Sequence, residues 1–293
     1  MAGNDYMVRA AAADERVRAF AITSRELVET ARKTHNTSPE VTAALGRTLS
    51  AAAMMGYMMK DADDVLTIQI QGDGPMKGLT VTADSHGHVK GFPRVAVATM
   101  PPKNGKLNVG GAVGNGTLTV MKDLGMSRPY SGIVPLRTGE IADDLTYYFA
   151  VSEQTPSSVG LGVLLTPENT VDVAGGFIVQ LMPDCPDEVI STIENNVSSV
   201  TSVTDLLKEG MTPEDIVGRV LSGLDITLND SHPASFRCDC SREHVLKSIL
   251  SIGKKDLDEM IADGEPIEVK CSFCQTAYTF ETAELAEKME ELR

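Results

Sequence analysis

From Val65 the chain alternates, with Leu66, Ile68 and Ile70 set against Thr67, Gln69 and Gln71, the pattern of a half-buried strand. Gly72-Asp73-Gly74-Pro75 turns the chain, Leu79 and Val81 alternate with Thr80 and Thr82, and Asp84 to Gly87 turns it again. This predicts an antiparallel meander rather than a strand–helix–strand unit. Upstream, Val17 to Thr23 reads as a strand, and the Ala10 to Ala13 run leaves the segment before it ambiguous. Thr23 and Glu26 have the spacing of a capping box at a helix start. Ser38 followed by Pro39 opens a second helix that runs to about Lys60. Met54, Met55, Met58 and Met59 on it lie among alanines that suit tight packing, so they read as core filler rather than as a promiscuous binding surface. Further on, Gly139 to Phe149 reads as a helix, and Val159 to Leu165 and Phe177 to Met182 as buried strands around a turn at Pro167.

A less ordinary stretch follows Asp184-Cys185-Pro186. Ile190, Ile193, Val197, Val200, Val203 and Leu207 recur at three- and four-residue steps and form one apolar stripe. The residues between them include Thr192, Asn195, Asn196, Ser198, Ser199, Thr201 and Ser202, all poor helix formers. Such a helix is held by packing and melts when its partner surface withdraws. Thr212 and Pro213 start another short helix that ends near Gly223, and Leu224 to Pro233 reads as a linker.

Four of the five cysteines sit in two pairs, Cys238-Asp239-Cys240 and Cys271-Ser272-Phe273-Cys274. Each pair can converge on one cation, and together they supply the four sulfurs of a closed tetrahedral zinc site. The same spacing lets each pair, Cys238 with Cys240 and Cys271 with Cys274, close as a disulfide when an oxidised sulfur is resolved by its neighbour. Spacing alone leaves structural zinc and redox switch equally open. Arg237, Arg242 and Lys270 are placed to favour thiolate. The 30 residues between the pairs carry Ser241 as a helix start, a helix ended by Gly253, a turn of helix from Asp256 to Ala262, and a strand into Cys271. Tyr278 and Phe280 mark the returning strand, and Glu281 to Arg293 closes the chain as a helix. This module has few apolar residues, and metal binding at such a site contributes about 10–16 kcal/mol of apparent folding free energy. Cys185 has no partner at ligand spacing and reads as a free thiol.

Composition narrows the function classes. The chain has 293 residues, 42% of them hydrophobic, enough for a sizeable core and two domains. Its net charge is −15, and the stretch from Ser235 to Arg293 holds 13 acidic residues against 8 basic ones. Nucleic acid, which is bound mainly through Lys and Arg, is an unlikely match for that balance. No run is long enough to span a bilayer, the start is charged rather than signal-like, and a cytoplasmic location with reduced thiols is expected. Gly110-Gly111-Ala112-Val113-Gly114-Asn115-Gly116 matches neither nucleotide fingerprint and leads into a strand, which argues against a nucleotide site. His86 and His88 flank Gly87 at a turn with no cysteine or carboxylate cluster and read as surface histidines. Four cysteines close the shell against hydrolytic zinc chemistry, and no catalytic motif appears, so the chain is not expected to be an enzyme. A structural zinc ribbon acting as a nucleic-acid or translation-associated binding module is the alternative.

Over essentially its full length the chain resembles the redox-regulated holdase chaperones of the heat-shock protein 33 family. The matching stretches are the two cysteine pairs, Ala44-Leu45-Gly46-Arg47, Glu153-Gln154-Thr155-Pro156-Ser157 and Ala174-Gly175-Gly176-Phe177. The resemblance implies an α+β fold with an N-terminal domain of antiparallel sheets packed with helices (1–182), a metastable helical linker (183–234) and a zinc-binding redox-switch domain (235–293). It implies an ATP-independent chaperone, inactive while reduced with one Zn²⁺ held by Cys238, Cys240, Cys271 and Cys274. Oxidation would form the two disulfides, release zinc, dimerise the chain and activate it toward unfolded client proteins. The stripe from Ile190 to Leu207 is the expected client-binding surface.

Overall fold

Two antiparallel sheets and the helices between and upon them build the larger part of the protein. The computed structural model describes residues 5–252 and 254–291, the side chains of 254, 255, 290 and 291 excepted. The expected helix end at Gly253 and the last two residues of the C-terminal helix lie outside them. Two compact units divide just before the first cysteine pair, Met1–Arg237 and Cys238–Arg293. The α+β class that the resemblance implies is what the elements show.

In the first unit, β1 (Tyr6–Ala12), β2 (Val17–Thr23), β8 (Ser157–Leu165), β9 (Val171–Leu181) and β10 (Ile226–Pro233) form a five-stranded sheet in the order β10-β1-β2-β9-β8. The meander β3 (Val65–Gly72), β4 (Gly78–Asp84) and β5 (His88–Pro93) joins β6 (Gly116–Asp123), β7 (Tyr130–Pro135) and the two-residue β11 (Ser235–Phe236) in a second sheet. Packed with both is α2 (Pro39–Tyr57), buried along almost its whole length, with α1 (Arg25–His35) beside it. Met54 and Met55 are fully enclosed in this core, and Met58 and Met59 pack at its edge. The core reading therefore stands for Met54 and Met55, whereas Met58 and Met59 are only partly buried.

Gly46 shows how tight that packing is. A Cβ added there would lie 2.6 Å from Val28 Cγ1 and 2.9 Å from Val163 Cγ2. Replacing glycine by alanine inside a helix ordinarily gains about 0.5–1 kcal/mol. Overpacking, at about 1–3 kcal/mol, outweighs it here.

Two helix starts differ from the sequence reading for local physical reasons. No capping box forms at α1: Ser24 Oγ bonds Ser50 Oγ at 2.7 Å, and the buried amide of Leu27 instead donates to Asp5 Oδ2 at 2.6 Å. Asp5 is buried, and desolvation raises its carboxyl from 3.8 to about 7 against the lowering effect of the helix amides. The helix expected from Gly139 begins later, as α4 (Ala142–Val151). Asp144 explains the delay, because its buried carboxylate accepts the amides of Arg137, Thr138, Gly139 and Ile141 and holds 137–141 as a loop. The glycine-rich run forms a short helix, α3 (Val109–Val113), and then enters β6, as its lack of a nucleotide fingerprint suggested.

A second apolar layer covers the far face of the five-stranded sheet. Its strands present matched rows there: Val8, Ala21 and Phe177 in one, Ala10, Ala19 and Val179 in the next. Small alanines let helices lie close. Over them lie α5 (Asp187–Ser198), α6 (Val203–Lys208) and α7 (Pro213–Val220), burying Ile193, Val203, Leu207, Ile216, Val217 and Val220. The stripe read as one helix is thus two. It breaks between Ser198 and Ser202, where Ser202 Oγ takes the amide of Asp205 and caps α6. The stretch read as a linker from Leu224 is instead β10, whose register with β1 shifts once between Arg9 and Ala10. Its polar, exposed pattern hides the strand, because an edge strand outside the helical layer has no apolar face to bury.

Two outcomes follow. Gly46→Ala should lower unfolding free energy in denaturant by up to about 2.5 kcal/mol, the overpacking cost less the gain in helix propensity. For Asp5, a folded pKa above the unfolded one means stabilisation that is complete below about 4 and lost as pH rises through about 7. Wild type minus Asp5→Asn stability, measured from pH 4 to 8, should therefore fall with rising pH, by at most a few kcal/mol.

Candidate metal centre

The second unit is small. Its helices α8 (Arg242–Leu250), α9 (Lys254–Ala262) and α10 (Thr282–Glu291) pack on the hairpin β12 (Ile267–Lys270) and β13 (Ala277–Phe280). Among its described residues the fully enclosed apolar core is Ile249, Leu257, Phe280 and Leu285. That is thin for an independent fold.

Local geometry brings the two cysteine pairs together. Ser241 Oγ accepts the amide of His244 and starts α8 directly after Cys240. Between β12 and β13 the chain makes a knuckle, with the Gln275 amide on Cys271 O at 2.8 Å, the Cys271 amide on Thr276 O at 2.9 Å, and Gln275 at φ 61°. The four sulfurs of Cys238, Cys240, Cys271 and Cys274 all lie within 4.8 Å of one another. Cys238 and Cys271 sulfurs are 3.7 Å apart and those of Cys240 and Cys274 3.3 Å. Tetrahedral zinc with bonds of about 2.3 Å sets its sulfurs about 3.8 Å apart, so four thiolates here fit that ion closely.

The surroundings prepare the sulfurs unequally. Burial pushes the Cys238 thiol up. Burial also opposes the Cys274 thiolate, but the Thr276 hydroxyl and amide and the neighbouring thiols bring it down to about 7. The Thr276 hydroxyl stands 3.2 Å from Cys274 Sγ, and the Tyr278 hydroxyl 3.2 Å from Cys240 Sγ while donating to Cys240 O. The sequence reading missed both residues. A hydroxyl two positions after a ligand, or on the returning strand of a knuckle, is the only trace they leave.

The three basic residues expected to favour thiolate do not turn to the sulfurs. Arg242 donates to Thr279 O, pairs with Glu284 and stacks over Phe280. Lys270 pairs with Glu268, and Arg237 faces His88 Nε2 at 3.1 Å. The other His88 ring nitrogen is on Asp84, so this histidine serves the surface of its own unit. Cys185 is half-buried at the edge of the helical layer of the first unit.

The expected client-binding stripe is distributed over α5 and α6. Ile193, Val203 and Leu207 are buried against the sheet, Val197 and Val200 pack at the margin, and Ile190 is half-buried outside that cluster, where Val189 takes the buried position. Among the described residues no helix is long and apolar enough to cross a membrane.

A family model described as Hsp33 protein matches residues 5–281. The chain belongs to the Hsp33 family. A 33 kDa chaperonin of Agathobacter rectalis is 55% identical over 97% of this chain and 99% of its own. Another, from Clostridioides difficile, is 50% identical over 98% and 99%. The crystal structure of the 33 kDa chaperonin of Thermotoga maritima superposes with a TM-score of 0.90 at 34% identity, covering 99% of both chains. Hsp33 membership and these names support a chaperone function and the binding of client proteins.

Outer contacts to ligating groups typically change metal affinity 10–100-fold. Thr276→Val should therefore weaken zinc retention by about that factor in competition with a chelator. A change below twofold would show that the hydroxyl does not support Cys274.

Proposed function

We propose that the chain is a redox-regulated, ATP-independent holdase of the cytoplasm, kept inactive while Cys238, Cys240, Cys271 and Cys274 hold one zinc ion. The observation that carries this reading is the convergence of four sulfurs at zinc spacing in a unit whose apolar core is too small to fold firmly without them. Bound zinc would offset two of the four thiolate charges and cross-link the two arms of the unit.

Activation is an oxidation of these residues. A thiolate sulfur attacks the O–O bond of a peroxide, becoming a sulfenic acid as hydroxide leaves. The second thiolate of the same arm displaces hydroxide from that sulfur and closes a disulfide. Two such sequences consume two peroxides, remove four electrons, and give Cys238–Cys240 and Cys271–Cys274. Disulfide sulfurs carry no charge to hold a cation, so the unit loses the greater part of its folding free energy.

The consequence travels along the chain. Cys238 follows β11, which pairs with β5, and β11 follows β10 at the edge of the five-stranded sheet. Loss of order from Cys238 onward removes the tether at that end. The helical layer α5–α7 of the segment 183–234 then leaves the sheet, because α5 and α6 are rich in Asn, Ser and Thr and hold to it chiefly by packing. This uncovers both the stripe of Ile190, Ile193, Val197, Val200, Val203 and Leu207 and the facing rows of Val8, Ala21, Phe177, Ala10, Ala19 and Val179. Unfolding clients bind these apolar surfaces, and the exposed faces also account for dimerisation on activation.

The test treats reduced, zinc-loaded protein with peroxide at heat-stress temperature and follows zinc release together with aggregation of an unfolded client. Zinc release and suppression of aggregation should rise together and both reverse with a dithiol reductant and zinc. Retained zinc, or release without suppression, would defeat the proposal. Cys271→Ser should lose regulated zinc binding, with the variant partly active before oxidation.

A further inference from the structure

The open end of the sandwich between the two sheets contains a cleft of about 380 Å³ that the zinc chemistry does not use. Its floor is Arg18 on β2 and Gln180 on β9, which face each other across the strand pair. Met55, Met58 and Met59 at the end of α2, Leu124 after β6 and Phe149 on α4 form its apolar walls. Glu153 and Thr155, from one of the stretches through which the chain resembles its family, line it as well.

The charges in this cleft are unevenly satisfied. Glu153 accepts from Lys122 Nζ at 2.7 Å and from the Tyr148 hydroxyl. Burial opposes its charge, yet those two donors hold it below the usual carboxylate range. Asp64 accepts the amide of Asp61 at 3.1 Å. Arg18 is different. Its Nε donates to Gln180 Oε1 at 2.8 Å, and Gln180 in turn donates to Ser157 Oγ, which fixes the side chain. Among the described residues its two terminal nitrogens have no hydrogen-bond partner, and no carboxylate forms an ion pair with it. Desolvation works against its charge while the Glu153 carboxylate in the same cleft attracts it without a hydrogen bond, and its terminal nitrogens stay open to the cleft, so the fork is free to take a partner.

We propose that this cleft binds a carboxylate carrying an unbranched apolar chain. The headgroup lies on the Arg18 fork, whose parallel N–H groups match a carboxylate's two oxygens. The chain lies along Met58, Met59, Leu124 and Phe149. Methionine side chains, unbranched and polarisable, mould to such a chain without a fixed shape. A small inorganic anion would leave these walls uncovered, and an uncharged chain would leave the fork empty. Two sources share the required chemistry: a medium-chain fatty acid, and the C-terminal carboxylate of a peptide ending in an apolar residue.

The experiment uses the reduced full chain labelled on its methionine methyl groups and titrated with decanoate, followed by NMR. Saturable shifts should appear at Met58 and Met59. Decan-1-ol, lacking the charge, should bind roughly tenfold or more weakly, as should decanoate to Arg18→Gln. Arg18→Lys, which keeps the charge and loses the fork, should fall between, and thermal unfolding of both variants shows whether the sandwich is intact. A short peptide ending in leucine, compared free and amidated, separates the sources. Tighter binding of the free peptide than of decanoate assigns a chain terminus, and the reverse assigns a fatty acid. Equal binding of decanoate and decan-1-ol, or shifts unchanged in folded Arg18→Gln, would overturn the proposal.

Discussion

Four sulfurs within 4.8 Å of one another are the constraint on which the C-terminal unit depends. As thiols they offer only weak hydrogen bonds, and as thiolates they repel. A divalent cation removes both difficulties, and so does oxidation. The two solutions differ in what they do to the chain: zinc joins residues separated by 30 positions, whereas disulfides within each pair join residues two or three apart. Loop-closure entropy makes the first a strong constraint on the whole unit and the second almost none. The core of Ile249, Leu257, Phe280 and Leu285 cannot replace what is lost.

The first unit shows the same contrast between firm and weak holding, arranged in layers. Between its sheets lies a large core around α2, where even one methyl at Gly46 would not fit. On the outer face of the five-stranded sheet lies a thinner one. Among the described residues Phe177 is the only aromatic in it that is fully enclosed, alanines supply much of the sheet surface, and short helices cover it. Burial there gives about 25 cal/mol per Å², set against helices whose own propensity is poor. A layer of this kind can detach while the inner core stays folded.

The meander, α2 and the cysteine module were legible because each rests on a local signal: period two, a Ser-Pro helix start, paired cysteines; the fold class came with the family resemblance. What the sequence hid was set by distant partners. Asp5 caps α1 from a position 22 residues away, and Asp144 organises a loop by reaching backward, so neither followed the usual capping spacing. β10 looked like a linker because an edge strand with polar faces has no periodicity to show. The stripe from Ile190 was read correctly as apolar and weakly helical, but its break at Ser198–Ser202 and the substitution of Val189 for Ile190 in the buried row depend on the sheet beneath. At the candidate metal centre the four cysteines were plain, whereas Thr276 and Tyr278 became visible only once the knuckle placed them beside sulfur.

The central claim is that oxidation of four cysteines frees the helical layer while the inner core stays intact. Hydrogen exchange on reduced and peroxide-treated protein measures this directly. The account predicts that protection collapses across Glu188 to Leu207 and in the cysteine unit, with α2 unchanged. Equal protection across Glu188 to Leu207 in both states would contradict it.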